Sequence, residues 1–200
     1  DLRSHYAQVL VSHPDHQKSM APLLLVLNKA QRLSFENREA ILSHPEHGGA
    51  LTEAFIKLGE VRALTQTHRK MLLLHPENAE EIANALILLQ ASAILSSSHR
   101  EAILVDPEHA KLIANALYCL HQRQMSTQSY IFAIHAYPKR ARFISSVVIL
   151  LHSCELLTEK NITTLFDHLK QIVRIYAFLV TQDAGHSVTQ EDFDRIIQTY

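Results

Sequence analysis

Tryptophan is absent from this chain, glycine occurs only four times in 200 residues, and cysteine twice. So few glycines argue against sheets built on tight hairpins and against a glycine-rich phosphate loop. Cys119 and Cys154 are too few for a disulfide framework and fit buried free thiols in a reducing compartment. An excess of one charge is also missing: 19 Lys and Arg stand against 20 Asp and Glu, a net charge of -1. That balance withholds the basic surplus that draws a protein to nucleic acid or anionic lipid. No apolar run reaches the roughly 18 residues needed to cross a bilayer, and the longest, such as 23–27, are core-sized. The opening DLRSHYAQV lacks the basic start and apolar stretch of a signal peptide. Walker, nucleophile-elbow, H-E-x-x-H and paired C-x-x-C motifs are all missing. The expectation is a chain that is not an enzyme, uses no cofactor, inserts in no membrane and binds no nucleic acid.

What is present is a period. Five of the six prolines, Pro14, Pro45, Pro76, Pro107 and Pro138, are spaced 31 residues apart. A hydroxyl column keeps the same spacing at Ser34, Thr65, Ser96, Thr127, Thr158 and Thr189, and an aliphatic one at Leu10, Ile41, Leu72, Ile103, Ile134, Leu165 and Ile196. Each hydroxyl precedes a helical pattern and is placed to cap it. The proline ends that helix A, because the residue before a proline is driven from the α region. It also suits the first position of a helix B, where its missing N–H is no loss. Helix B carries apolar residues at i, i+3, i+4 and i+7, as in Ile82, Ala85, Leu86 and Leu89. Small residues at Ala54, Ala85 and Ala116 predict close approach of neighbouring helices. One such hairpin cannot bury its own apolar faces, but stacked copies can.

The fold predicted is all-α: an α-solenoid of tandem 31-residue two-helix repeats in a single domain over residues 1–200. The units run 3–33, 34–64, 65–95, 96–126, 127–157 and 158–188, with the start of another at 189–200. About six copies are expected, cut at both ends from something longer.

Departures from the repeat direct attention to function. Pro22 falls inside the first helix B and predicts a kink or a late start. Gly48 and Gly49 occupy the first turn of the next helix B, at a cost of up to about 1 kcal/mol each against alanine. The sixth copy has Leu169 where the proline belongs, so that 158–180 is expected to form one long helix. On helix A an outward column reads Arg38, Arg69, Arg100 and then Ile131, and its neighbour Glu39, Lys70, Glu101 and then Phe132. Both columns turn apolar in the fifth copy, beside Tyr130 and Tyr137, and nine of the thirteen Phe and Tyr lie at or beyond position 130. Tyr130, Ile131, Phe132 and Tyr137 are therefore expected to form a patch for another protein. The competing reading is that the sixth repeat or a flanking domain covers them. The cations Arg38, Arg69 and Arg100 would line one ridge able to grip an acidic peptide or a phosphate. The plainer alternative is a solvated face with weak ion pairs such as Arg38 with Glu39 and Arg100 with Glu101. An RNA-reading repeat needs such residues in every copy, and this column lasts three.

Fourteen histidines invite a metal, and His13/His16 and His44/His47 stand at i, i+3. Equivalent copies place Asp106 or Tyr137 first and Asn78 or Arg140 second, exchanges that a metal site would not tolerate. The residue before the proline is instead expected to cap helix B, answered by the residue three places on.

In architecture the unit resembles the tetratricopeptide class, though three residues shorter and without its Trp, Gly and Tyr signature. The stretches 33–47, 64–79 and 95–110 are more closely similar to the L-T-x-x-N/H-R-x-A-I-L-x-H-P-E-H-A repeats of type IV-secreted effector proteins from intracellular bacterial pathogens. That resemblance implies secretion into a host cytoplasm and a host protein as partner, and assigns no catalytic residue. The function expected is a protein-interaction scaffold or recognition arm; the alternative is a structural spacer or oligomerisation segment.

Overall fold

A computed structural model describes residues 17–125, 127–183 and 188–199. Among the described residues there are twelve α-helices and no strand. In chain order they are α1 (Gln17–Lys29), α2 (Phe35–Ser43), α3 (Gly48–Glu60), α4 (Gln66–Leu74), α5 (Ala79–Ala91), α6 (Ser97–Val105), α7 (Ala110–Gln122), α8 (Gln128–Ala136), α9 (Ala141–Ser153), α10 (Glu159–Asp167), α11 (Ile172–Asp183) and α12 (Gln190–Thr199). Even-numbered helices are helix A of the repeat and odd-numbered ones helix B. Leu10, Pro14 and the His13/His16 pair lie outside the described residues.

Packing divides the chain into two compact units, residues 1–90 and 91–200. In the first, α3 packs on α1 and α2. In the second, B packs on B (α7 on α9, α9 on α11) and A on A (α6 on α8), the stacking of an all-α, solenoid-type repeat. The aliphatic column is fully covered: Ile41, Leu72, Ile103, Ile134, Leu165 and Ile196 are all buried. So are Leu51, Ile82, Ile113, Ile144 and Ile175 on helix B, and Ala54, Ala85 and Ala116 beside them. Truncating any of the larger ones to alanine is worth about 2–5 kcal/mol.

The hydroxyl column caps helix A as its position requires. Ser34, Thr65, Ser96, Thr158 and Thr189 accept from the backbone N–H three residues on, at 3.2–3.3 Å. Thr127 makes no such side-chain bond. The other end of the connection is a left-handed residue. Gln31, Arg62, Ala93, Gln124 and Glu155 all have φ of 56–59° with no glycine among them. Beyond that residue the N–H reaches back to helix B, as in Arg32 N–H to Leu27 O and Ala63 N–H to Leu58 O, both 2.8 Å. This is a Schellman-type ending that satisfies carbonyls the helix leaves open.

Five expectations need correction. Cys119 is exposed and Cys154 half-buried, so neither is the buried thiol expected. His44, His75, Asp106 and Tyr137 do not cap helix B through their side chains. Proline instead opens a 3₁₀ turn, and the carbonyl before it accepts, as in His47 N–H to His44 O at 3.0 Å. The sixth copy is not one long helix. It breaks at His168 into α10, a 3₁₀ turn at Leu169–Gln171, and α11. Without a proline, His168 relaxes to φ -110°, ψ 21°, whereas residues before proline sit at ψ 61–79°. Burial of Leu169 and a 2.8 Å bond from Arg140 Nη1 to its carbonyl hold the break in proline's place. Pro22 does not delay its helix: α1 runs through it from Gln17. Gly48 is not a plain defect, because a Cβ there would come 2.9 Å from Leu23 Cδ1; Gly49 faces open space.

Candidate functional site

The residues expected to form one aromatic patch are dispersed. Tyr130 and Ile131 are buried, at 3% and 7% exposure, because this side of helix A packs against the neighbouring repeats. Tyr130 meets the Phe166 ring of α10 edge-on at 6.0 Å, and burial pushes its phenol above the ordinary value. Tyr137 is half-buried at the far end of α8, where the Arg140 guanidinium lies 5.9 Å from its ring. Phe132 alone keeps the expected exposure, at 67%. Lys70 and Glu101 occupy the same column in other copies and are also exposed, so that column does face water. Phe132 borders a shallow cleft of about 350 Å³ with Gln128, Ser129 and Phe166.

The arginine ridge dissolves in the same way. Arg38 is buried, at 2%, its guanidinium on the Phe35 ring at 4.8 Å and bonded to Glu39 Oε1 at 2.9 and 3.0 Å. A long cationic stem covers apolar surface well, which spacing alone does not reveal. Arg100 is half-exposed in the second unit and forms no ion pair among the described residues, Glu101 and Glu108 included.

Arg69 belongs to a different group. A cleft of about 400 Å³ in the first unit is lined by Arg32, Arg62 and Arg69 together with Ser34, Asn37 and Gly59. Arg32 Nη2 donates to Gly59 O at 2.7 Å, while its buried Nε has no partner. Arg62 is exposed and projects from the left-handed position that ends α3. Arg69 Nε donates to Asn37 Oδ1 at 2.8 Å, and Asn37 Nδ2 donates to Arg32 O at 2.7 Å. None of the three arginines is in an ion pair among the described residues, and no acid lines the cleft. The carboxylate that feels Arg69 is the exposed Glu36. It is held below its usual value first by its own N–H, then by the Ser34 hydroxyl, then by Arg69.

Sequence reading missed the buried polar column at the third position of helix A: Asn37, His68, His99, Tyr130, Asn161 and Asp192. Asn37, His68 and Asn161 each donate to a connection carbonyl five residues back, at 2.5–2.8 Å. The 31-residue spacing itself was the signal available for finding them. His99 instead accepts from Ser96 N–H through Nδ1 at 3.3 Å, leaving its buried Nε2 without a partner. Burial first, then the nearby charges of His121 and Arg100, push His99 below its ordinary value, against the Ile94 carbonyl, which favours the protonated ring.

Among the described residues, one group could offer three metal ligands: Asp106, Glu108 and His109, whose ligand atoms lie within 4.8 Å of each other. His109 Nδ1 is already hydrogen-bonded to Asp106 Oδ1 at 2.9 Å, so the arrangement stands as a side-chain bond closing the turn. No described helix is long and apolar enough to cross a membrane. Comparison of the chain with protein-family models, curated proteins and solved structures returns no match.

Proposed function

We propose that this chain is a protein-binding helical-repeat module that meets its partner at the exposed face of α8. One observation carries the reading: Phe132 is 67% exposed in a column that elsewhere holds Lys70 and Glu101. A phenylalanine in water is a burial opportunity, and aromatic anchors dominate the energetics of protein interfaces. The cleft beside it, lined also by Phe166, offers an inserted apolar side chain a place to sit. Helical-repeat stacks suit this role because their regular core leaves surface positions free to vary. Following the resemblance of its repeats to type IV-secreted effectors, the partner class to try first is a eukaryotic host protein. Secretion into a host cytoplasm belongs to the same proposal.

The test is affinity capture from eukaryotic lysate with wild type and Phe132→Glu, after both give the same helical circular dichroism. Phe132 is exposed, so the substitution is expected to leave the fold intact. A captured protein that disappears with Phe132→Glu supports the module. The same captured set with both, or none with either, removes the basis for it and favours a spacer or oligomerisation segment.

A further inference from the structure

Two coordinated exceptions to the repeat meet in the first unit. Residue 32 follows the left-handed residue of its connection, where the other copies place Ala63, Ile94, Met125 and Leu156; here it is arginine. Residue 59 lies near the end of helix B, where the other copies carry Asn28, Gln90, His121 and His152; here it is glycine. The two are matched in space. A Cβ on Gly59 would lie 2.6 Å from Arg32 Cδ and closer still to Nε, so the guanidinium occupies room that only glycine leaves. Capping α3 accounts for one donor, the Nη2 bonded to Gly59 O. It does not account for the buried, unpartnered Nε, nor for Arg62 and Arg69 lining the same cleft.

We propose that this cleft binds a dianionic phosphate group, free or carried as a monoester. Asn37 sets the site: anchored to the Arg32 carbonyl, it holds Arg69 by Nε and leaves that guanidinium's terminal nitrogens to a ligand. Arg62 supplies a third fork from the exposed rim. Guanidinium forks match phosphate and carboxylate oxygens alike. Three of them, with no carboxylate in the lining, are balanced far better by a dianionic phosphate than by a single carboxylate. The cleft's roughly 400 Å³ is the size of a small-ligand site, not a nucleic-acid groove. The charge is also local, confined to one connection of a chain whose net charge is -1, and it lacks the repeated basic face that a nucleic-acid backbone requires. This site is separate from Phe132, and its test does not depend on any protein partner.

The experiment is a titration of the whole chain, at constant ionic strength, with inorganic phosphate, with O-phosphoserine and with acetate. It is followed through the arginine Nε–Hε resonances and the melting temperature. Saturable shifts of the Arg32 and Arg69 resonances with both phosphate probes, and none with acetate, are expected. Preference between the two probes separates free phosphate from a phosphorylated side chain as the source. Arg62→Ala, at an exposed position, is expected to keep the fold and weaken phosphate by about tenfold or more, the worth of one charge-assisted bond. Arg69→Gln gives a second reading of the same loss. Shifts no larger than chloride produces, acetate binding as well as phosphate, or undiminished phosphate binding in both variants would each overturn the proposal.

Discussion

At the scale of single residues, the chain spends its irregularities on the connections between helices. Among the described residues, five left-handed ones without a glycine among them are a standing cost, about 1–2 kcal/mol each for a side chain with a Cβ. Ala93, at φ 58° and exposed, is the simplest place to relieve it. Ala93→Gly is expected to raise stability by about 0.5–1 kcal/mol in urea melts, the relief being partly offset by glycine's greater freedom when unfolded. His99 gives a pH dependence whose direction follows from its burial. Its folded pKa lies below the ordinary histidine value of 6.5, so the unfolded chain binds the proton more readily. The stability it allows is therefore fully present above pH 6.5 and is lost as pH falls from there through the folded pKa. Asn37 and Asn161 show that asparagine fills this column without an ionisable ring. His99→Asn is expected to flatten the stability profile below pH 6.5 while leaving the value at pH 8 nearly unchanged. Equal slopes for the two proteins would show that His99 is not the group responsible.

At the scale of elements, the same reasoning separates two adjacent glycines at the start of α3. Gly49→Ala adds a methyl where nothing lies within 4 Å, and is expected to gain about 1 kcal/mol of helix stability. Gly48→Ala puts its methyl against Leu23 Cδ1 and Ile41 Cγ2, so its gain is expected to be smaller or absent. Thermal melts of the two variants decide the matter, and equal gains would contradict the packing role of Gly48. Helix boundaries were the most legible part of the sequence. The hydroxyl caps and the prolines each enforce one backbone conformation locally, and local rules need no knowledge of neighbours. The sixth hairpin was misread because proline is sufficient to break a helix but not necessary. Leu169 supplies the break by burial, and Arg140 by a bond from 29 residues away. Neither is a local property. The aromatic residues of α8 were misread for a related reason. A column can be followed by spacing, but Ile131 and Tyr130 are buried, Tyr130 against Phe166 of α10, and Phe132 beside them is not.

At the scale of the whole molecule, an all-α repeat was fully legible and its functional sites only partly. Three columns sharing one 31-residue period fix the architecture, since each copy repeats the same local problem and its solution. The sites lie where copies differ, and a difference acquires meaning only through what it touches. Arg32 and Gly59, 27 residues apart, each look like an isolated oddity until the guanidinium is seen in the space the glycine leaves. Phe132 is the reverse case: its exposure was predicted, and three presumed companions proved to be core or a separate turn. The central claim is that Phe132 marks the face through which this repeat module holds a partner. Its most direct measurement places a photo-crosslinking benzoylphenylalanine at position 132 and, in separate proteins, at the equivalent exposed positions 70 and 101. Each protein is then irradiated in eukaryotic lysate. A covalent adduct at 132 and none at 70 or 101 is the expected result; adducts of equal yield at all three positions, or none at 132, would contradict it.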